Sequence, residues 1–290
     1  MYEHFYGFAE RPFQMAPDPH FLFLSNQHRA ALTHVEYCLT HDAPFCLITG
    51  EIGSGKTTLI RHVLDKLEHT VTVGLISNTS RNIRQLLQWV SMAFDLPFEG
   101  VSEVGLHKQF QDFLIREYAA GRKVVLIVDE AQNLGRRNLE ELRLLSNINA
   151  DKDLLLQIIL VGQPELRTQL QNPQLRQFVQ RISVDYHLEA LGAEETRYYI
   201  RHRLRIAGGA VTLFSSEAIR LAYSHSRGVP RLINRICDTA LVCAFAAQAK
   251  RVGHRAVEDA VGTKGADAAY PHLVDGSGDV PDAADDAQGQ

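Results

Sequence analysis

Gly50-Glu51-Ile52-Gly53-Ser54-Gly55-Lys56-Thr57 constrains the fold more than any other stretch of this chain. It fits G-x-x-x-x-G-K-[ST], a phosphate-binding loop that works only between a strand and a helix. Both flanks are present. Phe45-Cys46-Leu47-Ile48-Thr49 is a short apolar run of the kind a buried strand makes, and Thr58-Leu59-Ile60-Arg61-His62-Val63-Leu64 has helical spacing. The glycines let main-chain N–H groups curl around a phosphate, and the helix N-terminus adds partial positive charge. Residues Gly50, Glu51, Ile52, Gly53, Ser54, Gly55, Lys56, Thr57 and Thr58 are therefore the expected nucleotide-binding set. Lys56 is placed for the β- and γ-phosphates, and the Thr57 hydroxyl for Mg²⁺.

A second element extends binding toward hydrolysis. Val124-Val125-Leu126-Ile127-Val128 reads as a central strand buried on both faces, and it ends in Asp129-Glu130. An acidic pair after an apolar strand often only caps the next helix. Here it follows the loop by about 70 residues, which makes it a Walker B pair. Asp129 is then expected on Mg²⁺ and Glu130 beside the attacking water, with ATP as the substrate.

The rest of the chain organises around these two elements. Residues 1–42 comprise an aromatic and proline-rich strap, expected to be extended, and then a helix from about Gln27 to Thr40 capped by Ser25 or Asn26, both packed on the core. Strands are expected near 45–49, 71–76, 124–128, 154–161 and 182–187, with helices near 83–94, 106–119, 137–147 and 173–180. This alternation over 43–190 implies an α/β core, a parallel sheet with helices on both faces. An additional strand between the loop and Asp129 points to the RecA-like branch of P-loop folds. Beyond Leu191 the pattern turns all-helical, at about 194–206, 216–225, 230–249 and 255–261, with Gly228 as a break. Residues 191–262 thus read as a small helical lid. Residues 263–290 are expected to be a disordered acidic tail. From Lys264 onward six Asp stand against one Lys, and large apolar residues are almost absent.

Charge and cysteine content narrow the class. The net charge of −4 comes from that tail, so the body is close to neutral and no large basic nucleic-acid surface is evident. Cys38, Cys46, Cys237 and Cys243 lack C-x-x-C spacing and read as buried free thiols. No apolar run reaches the ~18 residues a membrane span needs, and Met1-Tyr2-Glu3-His4 does not open a signal peptide. A cytoplasmic protein is expected, peripheral to a membrane only through a partner.

Further motifs carry a family resemblance. Tyr2-Glu3-His4-Phe5-Tyr6-Gly7-Phe8, Arg11-Pro12-Phe13, Pro17-Asp18-Pro19, Phe23-Leu24-Ser25 and His28-Arg29-Ala30-Ala31-Leu32 stand in order before the loop. Val128-Asp129-Glu130-Ala131-Gln132, Leu160-Val161-Gly162-Gln163-Pro164-Glu165-Leu166 and Gly228-Val229-Pro230-Arg231-Leu232-Ile233-Asn234 follow. From Tyr2 to about Val261 the chain resembles the ExeA/GspA-like AAA+ secretion ATPases, including those encoded with exosortase and exopolysaccharide loci. The family's larger members add a transmembrane helix and a peptidoglycan-binding module, so the resemblance points to the short, exosortase-locus type.

The resemblance implies further roles. Gln163 stands at the polar sensor position after the fourth strand. Arg231 stands at the sensor-2 position of the lid, facing the phosphates. Arg181 is the candidate arginine finger acting on a neighbouring subunit, with Arg176 as runner-up. Asn78 is a candidate for holding Glu130 away from water, and Asp18 for contributing to an adenine pocket. A homo-oligomer and a protein partner in a secretion or polysaccharide-export apparatus are implied. A DNA-associated ATPase of the transposition target-selection type and a nucleotide-gated scaffold with little turnover remain open beside that reading.

Overall fold

The computed structural model describes residues 1–16, 18–67, 71–77, 85–150 and 153–262. Pro17, Asn78 and the expected acidic tail at 263–290 lie outside the described residues. Five parallel strands form one sheet: β1 (Phe45–Gly50), β2 (Val71–Ile76), β3 (Lys123–Val128), β4 (Leu156–Gly162) and β5 (Ile182–Leu188), in the order β2-β3-β4-β1-β5. The strand between the Gly-rich loop and Asp129 is β4, which pairs with both β1 and β3.

Continuous apolar runs are what a doubly covered parallel sheet requires. Every residue of β1 and β4 is buried, as is β3 beyond Lys123. Side chains alternate between two layers. Phe45, Leu47, Leu126, Ile158 and Leu160 face the side of α4 (Leu86–Ala93), α5 (Glu103–Ala119) and α6 (Gly135–Leu145). Cys46, Ile48, Val125, Ile127, Ile159 and Val161 face α2 (Asn26–Thr40) and α3 (Lys56–Leu67). Gln157 interrupts the apolar run of β4, and its amide nitrogen is paired. Its amide donates to the Cys38 carbonyl at 2.8 Å and the Ala43 carbonyl at 3.3 Å, tying α2 to the sheet.

Strand four starts two residues later than its apolar run suggests. Asp153–Leu154 instead forms a short antiparallel ladder with Asn149–Ala150. Between β4 and β5 lie α7 (Pro164–Leu170), a 3₁₀ turn at Pro173–Leu175 and α8 (Arg176–Val179).

The helical module comprises α9 (Ala193–Ile206), α10 (Ser216–Ser226), α11 (Pro230–Ala246) and α12 (His254–Gly262). It meets the sheet domain at Gly228, which has φ of +79°. A Cβ there would lie 1.8 Å from the Leu191 carbonyl oxygen, so only glycine fits this joint. The Leu191 N–H donates to the Gly228 carbonyl at 3.0 Å.

The N-terminal strap corrects an expectation. It is not extended throughout, since Tyr2–Tyr6 forms a short helix, α1. It packs on the helical module and not on the sheet. Tyr2, Phe8, Phe13 and Phe21 share a core with Tyr199, Leu204, Phe214 and Ile236. The Tyr2 hydroxyl donates to Asp238 on α11, and burial together with that carboxylate raises the phenol above its usual range. The sheet layers take in α2, after the strap, with Leu24 packed at their edge. The four cysteines are free thiols.

Candidate nucleotide-binding site

All parallel strands end on one side, and the Gly-rich loop leaves β1 there. Gly50 sits beside Leu188 of β5 in register. Gly53 and Gly55 have φ of +79° and +101°, which turns the loop back over the start of α3. Lys56 opens that helix and is 7 % exposed. Its ammonium donates to the Gly50 carbonyl at 2.7 Å and the Glu51 carbonyl at 2.8 Å. Burial pushes its pKa down, opposed by the surrounding carboxylates of Glu130, Asp129, Glu51 and Glu165. A buried cation in this position gains from an anionic ligand, because polyphosphate would supply the charge the loop carbonyls carry only in part.

Thr57 and Asp129 meet across the loop and β3. The Thr57 hydroxyl donates to Asp129 Oδ2 at 2.9 Å, and Asp129 is buried. This hydroxyl and carboxylate pair is the hard oxygen donor set that suits Mg²⁺, so these residues fit that cation. Glu130 adopts φ of +54°, a left-handed conformation uncommon for a residue with a Cβ. Its main-chain N–H donates to Asp129 Oδ1 at 2.9 Å. Two amides converge on its carboxylate: Gln132 Nε2 at 2.6 Å and Gln163 Nε2 at 3.0 Å, both on Oε2. Lys56, Thr57, Asp129, Glu130 and Gln163 thus come together at the strand ends, and Thr58 joins Lys56, Thr57, Glu130 and Gln163 in lining a pocket there.

The helical module rests against the loop. The Arg231 N–H donates to the Gly53 carbonyl at 3.3 Å, and a Cβ on Gly53 would lie 2.3 Å from Arg231 Cβ. Arg231 lines the same pocket, of about 250 Å³, as Lys56, Glu130 and Gln163. The far wall of that pocket is strap and lid. Asp18 lines it while its carboxylate accepts from the His20 N–H and the Gln14 amide, each at 2.9 Å. Arg203 is buried there, donating to the Pro12 carbonyl and to the Tyr199 hydroxyl at 3.0 Å, with its guanidinium 4.5 Å from the Phe21 ring centroid.

His28 is a member of the site that its sequence context does not announce. Ser25 caps α2 by accepting the His28 N–H at 3.2 Å, and the Ser25 hydroxyl lies 2.7 Å from His28 Nδ1. The other ring nitrogen faces the loop, where the imidazole hydrogen-bonds the Ser54 main chain. A Cβ on Gly55 would lie 2.8 Å from Nε2, so the ring fills the space this glycine leaves open. The pairing favours one tautomer, with Nε2–H donating to the Ser54 carbonyl and Nδ1 accepting from Ser25. Burial lowers the pKa of this histidine.

Arg181 lies elsewhere. It precedes β5 at the end remote from the loop, about 20 Å away by the rise of seven strand residues. Its Nη1 donates to Ser146 Oγ at 2.8 Å. Arg176 opens α8 and is exposed. Neither belongs to the cluster formed by this chain's own loop.

Residues 39–170 match the family described as AAA domain. Over 257 residues the chain is 42 % identical to General secretion pathway protein A of Aeromonas hydrophila. That match takes in 88 % of this chain and 47 % of the relative, so the chain spans about half the relative's length. Among solved structures, the Aeropyrum pernix ORC2 protein in ADPNP–ADP complexes is similar with a TM-score of 0.66 at 17 % identity, covering 88 % of this chain and 72 % of that one. The Aeropyrum pernix ORC1 protein in complex with DNA is similar with a TM-score of 0.65 at 19 % identity, covering 87 % and 69 %. At such identities the likeness is one of fold. With its Gly-rich loop between β1 and α3, the chain carries an AAA domain of the P-loop type and is a relative of General secretion pathway protein A over 88 % of its length.

Proposed function

We propose that this protein binds ATP with Mg²⁺ and hydrolyses the γ-phosphate, and that the resulting movement of its lid acts on a secretion or polysaccharide-export apparatus. The observation that carries the reading is the meeting of Lys56, Thr57 and Glu130 under Arg231 in one pocket, with Asp129 bonded to Thr57 behind its wall. Thr57 and Asp129 would hold Mg²⁺, whose charge offsets that of the β- and γ-phosphates. Lys56 releases its loop carbonyls to face phosphate oxygen, and the N-terminus of α3 adds its dipole. Glu130 accepts the proton of the attacking water. Gln163 orients that carboxylate, and Arg231 couples the phosphates to the lid because its main chain already rests on Gly53.

Arg181 enters from a neighbouring subunit, since its own loop is out of reach. A finger in trans is worth about 10³–10⁵ in rate, so the isolated subunit turns over slowly and a head-to-tail oligomer is the active form. The assignment to a secretion system rests on the kinship with General secretion pathway protein A. The exosortase-associated, exopolysaccharide form of such a system is the narrower proposal, supported by the resemblance in the N-terminal motifs. Among the described residues no helix is long and apolar enough to cross a membrane, so contact with a membrane system is assigned to a protein partner.

The test is ATP turnover measured against protein concentration, with and without Mg²⁺, for the wild type and Lys56→Ala. Turnover that needs Mg²⁺, needs Lys56 and rises per subunit with concentration supports the reading. Turnover indifferent to Lys56 removes it. For the partner, affinity capture under cross-linking with the Glu130→Gln variant and ATP should recover export-system components; exclusive recovery of DNA and transposition proteins would replace that assignment.

A further inference from the structure

Gln132 follows the acidic pair by two residues, and nothing in the phosphate chemistry requires it. Its side chain nevertheless makes two bonds at the site. Nε2 donates to Glu130 Oε2 at 2.6 Å. Oε1 accepts the main-chain N–H of Gln163 at 3.0 Å, at the N-terminus of α7. One amide therefore bridges the Glu130 carboxylate to the end of β4. Gln163 closes the ring by sending its own amide to the same carboxylate oxygen at 3.0 Å.

Two further contacts hold Gln132 itself in place. Its carbonyl accepts from Gln169 Nε2 at 2.6 Å, one turn further along α7. Gly162, the last residue of β4, leaves room for the amide: a Cβ there would lie 2.9 Å from Gln132 Oε1 and 2.9 Å from Leu166 Cδ2. Glu130 needs such support. Its backbone is left-handed, at φ of +54°, and a carboxylate on a strained turn has several accessible rotamers unless it is bonded from the side. Two amide donors on one oxygen remove that freedom and leave the carboxylate plane fixed relative to Asp129 and Thr57.

We propose that Gln132 is a positioning residue for hydrolysis, which locks the Glu130 carboxylate to the β4–α7 junction through its amide. The inference rests on the reading of Glu130 as the base. Gln132 does not touch substrate; it acts through Glu130 and Gln163. The oriented carboxylate is what makes the attacking water reactive, so loosening it costs catalysis and not binding. A displacement of about 1 Å in such a group lowers rate on the order of 10²-fold.

The test compares Gln132→Leu, Gln132→Glu and Gly162→Ala in the full chain, with ATP affinity, KM, kcat and melting temperature measured for each. Gln132→Leu should lower kcat on the order of 10²-fold while KM and ATP affinity stay within about twofold. Gln132→Glu keeps the acceptor for the Gln163 N–H but loses the donor to Glu130, so it should not rescue kcat. Gly162→Ala pushes the amide from the other side and should lower kcat in the same way, with a melting temperature lowered by overpacking against buried Leu166. In a Glu130→Gln background, Gln132→Leu should have no further effect on single-turnover rate, because two residues that act as one unit are non-additive. The proposal is overturned by native kcat in Gln132→Leu, by a raised kcat, or by losses in affinity and melting temperature with kcat preserved. It is also overturned by a full additional loss in the Glu130→Gln background. Near-normal turnover of Glu130→Gln alone is a different failure, since it removes Glu130 as base whatever Gln132 does.

Discussion

Replacing His28 by alanine tests whether the nucleotide loop is held from α2. The ring is 4 % exposed, bonded to Ser25 on one side and to the Ser54 main chain on the other, and packed against Gly55. His28→Ala leaves the helix cap intact, because Ser25 Oγ accepts a main-chain N–H that survives the change. It leaves the Ser54 carbonyl without its donor, at about 1–3 kcal/mol, and opens a void beneath Gly55 that adds roughly another 1 kcal/mol. At roughly 2–4 °C per kcal/mol for a chain of this size, the melting temperature should fall by about 4–16 °C. The loop also loses its support, so ATP should bind on the order of 10-fold more weakly, a cost of about 1.4 kcal/mol.

The acid side provides an independent arm. Burial sets the folded His28 pKa below its ordinary value of 6.5, so the unfolded ring takes up a proton first. Stability should therefore fall as pH drops from about 6.5 toward the depressed folded value, where the loss levels off. His202 is shifted in the same direction, also by burial, and is retained in the variant. His28→Gln, whose amide can still reach Ser54, should recover part of the melting temperature and show a shallower acid loss than the wild type. Differential scanning fluorimetry across pH and a fluorescent-nucleotide titration measure both. Unchanged melting temperature and affinity in His28→Ala would refute the support of the loop by this ring.

Lys56→Ala removes a charge-assisted contact worth about 1.5–3 kcal/mol, and ATP affinity should fall at least ~10-fold by isothermal titration. Arg181→Ala should bind ATP normally and lose the rise of specific activity with protein concentration, as read by sedimentation and ATPase assay together. Mixing Arg181→Ala with Glu130→Gln should restore part of the turnover, because one supplies an intact site and the other a finger; no restoration at any ratio would count against action in trans.

The sequence made the centre of the site readable because its signals are contiguous. A Gly-rich loop between an apolar run and a helical one, and an acidic pair at the end of another apolar run, are set by neighbours a few residues apart. The parallel character of the sheet around them followed from alternation, since a parallel strand needs a crossover helix. What escaped the sequence depends on distant residues meeting. Ser25-x-x-His28 reads as a helix cap, and only the fold reveals that the cap's histidine fills the space at Gly55. Gln132 stands in the sequence only as the end of a motif, and its partner at the end of β4 is visible only in the fold. Arg231 was placed near the phosphates by resemblance alone, and its contact with Gly53 is a property of the lid's docking. The strap was assigned to the wrong partner for a similar reason. Its aromatics at Tyr6, Phe8, Phe13, Phe21 and Phe23 have no period, so the sequence shows that such a segment packs but not against which module.

The most direct measurement of the central claim is the Mg²⁺-dependent ATP turnover of Glu130→Gln alongside its ATP affinity. The amide keeps the shape of the carboxylate but cannot take the proton of water, and general-base assistance contributes typically 10²–10⁴-fold. The account predicts ATP affinity close to that of the wild type and turnover lower by at least about 10²-fold. Turnover near that of the wild type in Glu130→Gln would contradict it.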